Sequence, residues 1–118
     1  MTEYSAARKV AARLAALAEP TRVRVVDRLA HGPLHVGGLA ELLGVPMVNL
    51  SHHLGVMRQA GLLEDQKDGR RVIYRLHPDV ARPGDGDAIV VLDLDGFLVR
   101  VRKGAAPPAA GPKAKKKG

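Results

Sequence analysis

Cysteine and tryptophan are both absent from this 118-residue sequence, and aromatic residues are limited to two tyrosines and one phenylalanine. Without cysteine, the chain cannot form disulfides, sense redox state through thiols or bind metals through thiolates. Because aromatic residues make up 3% of the chain and apolar residues 46%, the core must be built from leucine, valine and alanine. This composition is compatible with one small globular domain.

Long hydrophobic runs are also missing. No stretch approaches the roughly 20 apolar residues that a transmembrane helix needs. Residues 1–18 lack the apolar segment of a secretory signal. We therefore expect a soluble cytoplasmic protein that does not contact a membrane.

Acidic residues are outnumbered, with 12 Asp and Glu against 19 Lys and Arg, which gives a net charge of +7 and a pI near 10.3. Such a balance favours a polyanionic partner, which is nucleic acid or an acidic membrane, and of these two we expect nucleic acid. Four lysines near the end carry more than half of the excess: Lys113, Lys115, Lys116 and Lys117. The rest of the chain is therefore only mildly basic.

The segment 36–61 is the most informative part of the sequence. Its first half predicts a short helix from Val36 to Leu43, which Gly44 ends because glycine favours the position just past a helix. Its second half predicts a helix that opens near Pro46, with one apolar stripe formed by residues 50, 54 and 57. Two such helices joined by a tight turn indicate a helix-turn-helix unit, whose second helix is a candidate for insertion into the major groove of DNA.

Two helices are predicted before this unit, over residues 3–18 and from Glu19 to about residue 30. In the second we expect Val23, Val26, Leu29 and Ala30 to face inward. Its arginines are expected to face outward: Arg22, Arg24 and Arg28. The first helix has an alanine-rich face, which suits close packing against another helix.

After Gly61 the apolar pattern changes from helical to alternating. It predicts a strand over 62–66, a turn at 67–69 and a returning strand over 70–76, because Asp-Gly between alternating segments is a strong hairpin signal. A hairpin directly after a reading helix is a wing, whose cationic tip can contact the phosphate backbone. A second hairpin is predicted over 88–103, with its turn near Asp95-Gly96, after a loop over 79–88.

The stretch 17–76 resembles the ArsR/SmtB family of winged helix-turn-helix transcriptional regulators. Three pieces carry the resemblance: LAEPTRVRVVDRL (17–29), LAELLGVPMVNLSHHLGVMRQAGLL (39–63) and DGRRVIYRL (68–76). They cover about half of the chain, in the order and spacing typical of the family. The resemblance implies a homodimer that binds double-stranded operator DNA, usually as a repressor released by an inducer.

The chain departs from that family at its sensor sites. Many members sense soft metals through cysteines in the first helix of the helix-turn-helix unit, where this chain has none. Others use a C-terminal helix that also forms the dimer, and here the sequence predicts strands instead. His52 and His53 are adjacent, so their directions on a helix differ by about 100 degrees and they cannot easily share one ion. We expect no metal and no cofactor, and the sequence identifies no inducer.

The apolar strand followed by Asp93-Leu94-Asp95-Gly96 resembles the nucleophile motif of haloacid-dehalogenase phosphatases. Such an enzyme needs a large α/β domain after the motif, and only a hairpin and a tail follow it here. A β-turn containing Asp and Gly explains the pattern better. The sequence therefore predicts no catalytic residue and no enzyme.

The expected fold is mainly α with small β, that is an α+β winged helix-turn-helix domain with an additional C-terminal β-hairpin. Residues 1–80 are expected to form the winged domain, 81–103 the loop and hairpin extension, and 104–118 a disordered lysine-rich tail. The residues expected to contact DNA lie on the second helix and on the wing: Val48, Asn49, Ser51, His52, Arg58, Gln59, Lys67, Arg70 and Arg71.

Two alternatives to a sequence-specific, dimeric repressor stay open at the level of sequence. A winged helix also serves as a protein-interaction module, and the lysine tail suits a protein that coats DNA without sequence preference. The dimer surface is also open: it is either the alanine-rich face of the first helix or the C-terminal hairpin.

Overall fold

The structure is a computed structural model that describes residues 3–103, so the predicted disorder of 104–118 lies outside the described residues. These residues form four helices and six strands; the first strand lies between the second and third helices, and the other five follow the fourth helix. The helices are α1 (Tyr4–Leu17), α2 (Pro20–Leu29), α3 (Val36–Leu43) and α4 (Met47–Gln59). The strands are β1 (Leu34–His35), β2 (Leu63–Asp68), β3 (Arg71–Leu76), β4 (Ala81–Pro83), β5 (Ala88–Asp93) and β6 (Leu98–Arg102). The expected α+β winged helix-turn-helix fold is confirmed.

Helix α2 begins where the sequence predicts, because Pro20 occupies its first turn and the side chain of Glu19 accepts a hydrogen bond from the Arg22 N–H at 3.0 Å. Two predictions about its faces were wrong. Val23 is 55% exposed, and Val25 is buried in its place. Arg22, predicted to face outward, is mostly covered, since its side chain folds back towards Glu19.

The turn between α3 and α4 follows the predicted pattern. Gly44 has a φ of 68°, a left-handed conformation that costs glycine little, and it ends α3. Pro46 caps α4 from just outside the helix. The predicted stripe is confirmed, because Leu50, Leu54 and Met57 are completely buried. Helix α4 is therefore held in one rotation about its axis.

The wing is part of a three-stranded antiparallel sheet in the order β1-β3-β2. Asp68 pairs with Arg71, so the loop consists of Gly69 and Arg70, and not of the predicted Lys67 to Gly69. Gly69 has a positive φ of 64°, and glycine at the first position of a two-residue loop suits the twist of a hairpin. Lys67 therefore belongs to a strand and lies directly beside the tip.

A second three-stranded antiparallel sheet has the order β4-β5-β6. The predicted hairpin and its turn are confirmed, but the preceding loop was predicted too long, because Ala81–Pro83 pairs with β5. Gly84 permits this return: a Cβ there would lie 2.1 Å from the Ala88 carbonyl oxygen. At the other turn the Asp93 side chain accepts a hydrogen bond from the Gly96 N–H at 2.7 Å. This bond holds the pKa of Asp93 below its usual value.

One hydrophobic core joins the helices to both sheets. Its fully buried members include Leu39 and Leu54 from the helices, Leu63 from the wing sheet, and Leu92 and Leu94 from the second sheet. The segment 81–103 is thus packed into the same core as the winged domain. Arg13 of α1 also reaches the turn of the second sheet, with 3.6 Å between its Nη1 and Asp95 Oδ2.

Candidate nucleic-acid interface

The N-terminal half of α4 presents a continuous exposed surface. Since Leu50 and Leu54 fix the inward face of this helix, Asn49, Ser51 and His52 point to solvent. Val48 on the same surface is 81% exposed. This surface combines side chains that are able to hydrogen-bond base edges with one that is able to contact a thymine methyl group.

Met47 belongs to this surface and was missed by the sequence reasoning. It is 54% exposed and lies in the first turn of α4, beside Val48. Its position three residues before Leu50 places it on the apolar stripe, so periodicity alone predicts a buried side chain. The signal that could have revealed it is its place in the first turn, where the helix extends past the core.

The wing tip and α4 meet across a shallow groove. Lys67, Arg70 and Arg71 are all exposed, as predicted. The groove is bordered by parts of β1, α3, α4 and β3: His35, Val36, Gly37, Met47, Ser51, Arg70, Arg71 and Val72. The structure therefore brings two wing arginines and helix α4 to the same side of the molecule.

The start of α3 borders this groove, and His35 lies just before the helix. His35 Nδ1 accepts a hydrogen bond from the Gly38 N–H at 3.2 Å, which caps the helix. His35 is half-buried, whereas His31 is exposed.

Arg58 and Gln59 lie at the opposite end of α4 and are exposed. Neither borders the groove next to the wing. Gln59 instead lines a depression beside α1, together with Ala12 and Ala15. These two predicted contact residues are therefore separated from the main surface by the length of the helix.

The paired histidines of α4 have different environments. His52 is exposed, whereas His53 is largely covered and its Nδ1 lies 3.8 Å from Glu19 Oε1. Loss of hydration raises the pKa of Glu19, but the N–H of Arg22 and the charge of His53 oppose it and leave the pKa below its usual value. His53 thus joins α4 to the start of α2, and only His52 belongs to the exposed surface.

Charge on the wing is divided between paired and unpaired cations. Arg75 is held by Glu64, with 2.9 Å between Nε and Oε2, and donates a hydrogen bond to Gln66 at 2.7 Å. Within residues 3–103, Lys67, Arg70 and Arg71 form no ion pair. Unpaired guanidinium groups at an exposed tip are suited to phosphate oxygens.

Two other kinds of site are not found in the same part of the chain. Among the described residues, no group of three or more His, Cys, Asp or Glu side chains is placed to hold a metal ion. No helix in that range is both long and apolar enough to cross a bilayer.

Comparison with known sequences agrees with this geometry. A family model described as a helix-turn-helix domain matches residues 17–66. The HTH-type transcriptional regulator Rv2034 of Mycobacterium tuberculosis is 44% identical over 91 residues, which are 77% of this chain and 79% of that protein. The HTH-type transcriptional regulator NmtR of the same organism is 42% identical over 64% of this chain and 62% of its own length. This chain therefore spans a little under two thirds of NmtR.

Solved structures give the same result. One neighbour is the homodimeric winged helix-turn-helix DNA-binding domain of a possible ArsR-family transcriptional regulator from Mycobacterium bovis. It has a TM-score of 0.61 and 30% identity, and the match covers 67% of this chain and 75% of that one. Another is the transcriptional repressor BigR from Xylella fastidiosa, with a TM-score of 0.56 and 36% identity over 59% of this chain and 71% of its own.

Proposed function

Because this chain belongs to the ArsR/SmtB family of winged helix-turn-helix, DNA-binding transcriptional regulators, we propose that it is a dimeric repressor that recognises a specific operator. The observation that carries the proposal is the common exposure of the α4 surface and the unpaired wing cations on one side of the molecule. Members of this family regulate transcription and are not enzymes.

The proposed roles follow from position. In this proposal Asn49 pairs with a base edge, since its amide both donates and accepts, and Ser51 and His52 contact neighbouring bases or phosphates. Val48 and Met47 lie against thymine methyl groups. Lys67, Arg70 and Arg71 of the wing bind the phosphate backbone or the minor groove beside it.

Arg58 and Gln59 are assigned a secondary role, as contacts to phosphates or solvent at the far end of α4. The winged unit, residues 1–80, is the proposed DNA-binding part. Residues 81–103 stabilise it by packing into the same hydrophobic core. For the lysines of 104–118 we propose phosphate contacts that do not depend on sequence.

The proposal is tested by selecting bound fragments from the source genome and measuring their affinity by fluorescence anisotropy. The Asn49→Ala variant should lose roughly 1–3 kcal/mol of binding to the selected operator, the usual value of a good base contact. Gln66→Ala on the wing strand is the matched control, because it also removes an amide but not from the reading helix. Unchanged operator affinity in the Asn49 variant contradicts the assignment of α4 as the reader.

The same measurement separates the alternatives. Equal affinity for the operator and for random duplex identifies a protein that coats DNA. Absence of any DNA complex at low salt, together with capture of a protein partner, identifies an interaction module. A preference for the operator that weakens steeply with salt supports the regulator.

For the dimer, the structure favours α1 as the shared surface. The apolar face of the C-terminal hairpin is largely used within the chain, because Val90, Leu92 and Leu94 are buried. The alanine-rich side of α1 is exposed at Ala7 and Ala11, and Leu14 there is 41% exposed. Small side chains permit close approach of two helices across a two-fold axis.

Light scattering on single-charge variants tests this surface. Leu14→Glu should convert the dimer to a monomer at low micromolar concentration while the fold survives, because Leu14 is outside the core. Phe97→Glu, at the exposed turn of the hairpin, should leave the dimer intact. The reverse pattern assigns the interface to the hairpin. Point variants are preferable to deleting the hairpin, since the deletion removes core residues.

A further inference from the structure

The side chain of Arg13 lies where three distant parts of the chain meet. This residue belongs to α1, and its guanidinium group contacts both the end of α4 and the turn between β5 and β6. The side chain is only 19% exposed, and a charge that is mostly covered needs partners. The DNA-contact roles proposed above do not include this residue.

The first partner of Arg13 is the C-terminus of α4. Gly61 has a φ of 80°, and the N–H groups of Gly61 and Leu62 donate to carbonyls in the last turn of the helix, in the pattern of a Schellman motif. That motif does not use the Ala60 carbonyl, which accepts a hydrogen bond from Arg13 Nε at 3.2 Å. A cation of α1 therefore caps the negative end of the α4 dipole.

The second partner lies in the turn of the second sheet. Arg13 Nη1 is 3.6 Å from Asp95 Oδ2. Because the Asp95 side chain is 51% exposed, this ion pair is weaker than the hydrogen bond from Arg13 to Ala60. The pair adds a constraint on the guanidinium group whose Nε contacts α4, and so connects the second sheet to the end of that helix.

The position of these contacts matters because residues 60–62 alone join α4 to strand β2 of the wing. Arg13 contacts the first two of them: it donates to Ala60, and a Cβ on Gly61 would lie 3.1 Å from its Nη2. Leu54 and Leu63 anchor the helix and the strand in the core on either side of this joint. Arg13 acts on the segment between the two anchors.

We propose that Arg13 is a positioning residue for DNA recognition, which fixes the angle between α4 and the wing and makes this angle depend on Asp95. The proposal rests on the proposed function, since that function assigns the DNA contacts to α4 and the wing. A looser joint lowers the fraction of molecules that present both elements correctly. Affinity for the operator falls with that fraction.

Amide hydrogen exchange of the full chain tests the joint without DNA. In Arg13→Gln, exchange at Gly61 and Leu62 should rise at least about threefold relative to exchange at Leu54, which reports on the body of α4. Arg8→Gln removes an exposed arginine of the same helix and is the matched control. It should leave the ratio as in the wild type. An unchanged ratio in Arg13→Gln overturns the proposal.

Asp95→Asn tests the link to the second sheet. The variant should fold, because the side chain is half exposed and asparagine tolerates the positive φ of 60° at this position. Alone, it should raise the exchange ratio by about twofold. In a chain that already carries Arg13→Gln it should have no further effect, because the ion pair is gone. Equal effects in both backgrounds would show that Asp95 does not act through Arg13.

Fluorescence anisotropy with the selected operator and a random duplex separates positioning from simple attraction of charge. Arg13→Gln should weaken operator binding by roughly three- to tenfold and random-duplex binding by less than about twofold. Loss of stability or of one positive charge weakens both duplexes by similar factors, which is the expectation for Arg8→Gln. Similar losses for the two duplexes in Arg13→Gln overturn the proposal.

The two measurements also distinguish this proposal from the proposed function. A wild-type protein without preference for the operator contradicts the proposed function, and the exchange ratios then decide by themselves whether Arg13 fixes the joint. A joint that loosens in Arg13→Gln while the operator preference stays at its wild-type value overturns the positioning role and leaves the proposed function intact.

Discussion

The two three-stranded sheets of this molecule have similar size, but within residues 3–103 the cations at the tip of the wing sheet are unpaired, whereas the arginines of the second sheet have carboxylate partners. On the wing sheet, Arg70 and Arg71 lie at the exposed loop and form no ion pair within the described residues. On the second sheet, Arg82 pairs with Asp93 at 3.5 Å, and Arg100 and Arg102 pair with neighbouring aspartates. The two sheets are therefore distinguished by the ion pairing of their cations and not by their net charge.

This difference shows which arginines can bind phosphate without first losing a carboxylate partner. Arginines that already have carboxylate partners must give up those partners before they can bind phosphate. Unpaired arginines at an exposed tip lose only hydration and side-chain freedom when they do so. We therefore expect the wing, and not the second sheet, to bind phosphate.

The largest effect is expected from a core substitution in the second sheet. Leu92→Ala should lower the free energy of unfolding by roughly 2–5 kcal/mol, because Leu92 is 1% exposed and packs in the shared core. Leu98→Ala, in the same sheet but 62% exposed, should change it by less than about 0.5 kcal/mol. Urea unfolding measures both. Equal values for the two variants would show that the sheet is not part of the core.

A smaller effect is expected for DNA binding when the cations of each sheet are removed. The double variant Arg70→Ala, Arg71→Ala should weaken binding to operator and to random duplex by similar factors. It should also lower the salt slope by about 1.8, or 0.9 for each phosphate that an arginine no longer neutralises. The double variant Arg100→Ala, Arg102→Ala should keep the wild-type slope. A lower slope in the second variant alone would reverse the comparison of the sheets.

The smallest effect is expected on stability in acid, where a carboxylate that has an arginine partner should differ from one that has none. The hydrogen bond from Arg100 holds the pKa of Asp87 below its usual value of 3.8. The resulting stabilisation is complete above pH 3.8 and is lost as the pH falls through the lower, folded-state pKa. Asp87→Asn should therefore show a flatter decline of unfolding free energy in acid than the wild type.

Unfolding by urea at a series of pH values measures this slope. Asp65→Asn on the wing controls for the loss of a surface carboxylate. A wild-type decline that matches the Asp87→Asn decline throughout the acid range would exclude the pair as a source of stability.

Much of the fold follows from local signals in the sequence. The Gly44 turn, the stripe of α4 and the Asp95-Gly96 turn are each determined by residues close to one another in the chain. The predicted contact residues on α4 are exposed because the buried leucines of that helix determine its remaining faces, and those on the wing are exposed because they lie at the tip of the hairpin. Their contacts with DNA remain predictions.

The errors arise where tertiary context decides. Val23 and Val25 have similar helical patterns, and only the position of the neighbouring elements selects Val25 for the core. β4 is three residues long and contains a proline, so its strand character depends on the partner β5. The exposure of Met47 and the burial of Asp27 Oδ1 depend likewise on how far the core extends.

The order β4-β5-β6 has a consequence for the behaviour of the protein at high concentration. β4 contains Pro83, which has no N–H to offer another strand, and β6 alternates valines with charged arginines. Each outer strand of this sheet is thus poorly suited to accept a further strand from another molecule. The apolar residues of β5 are shielded between them, and this sheet should resist the edge-to-edge stacking from which aggregates grow.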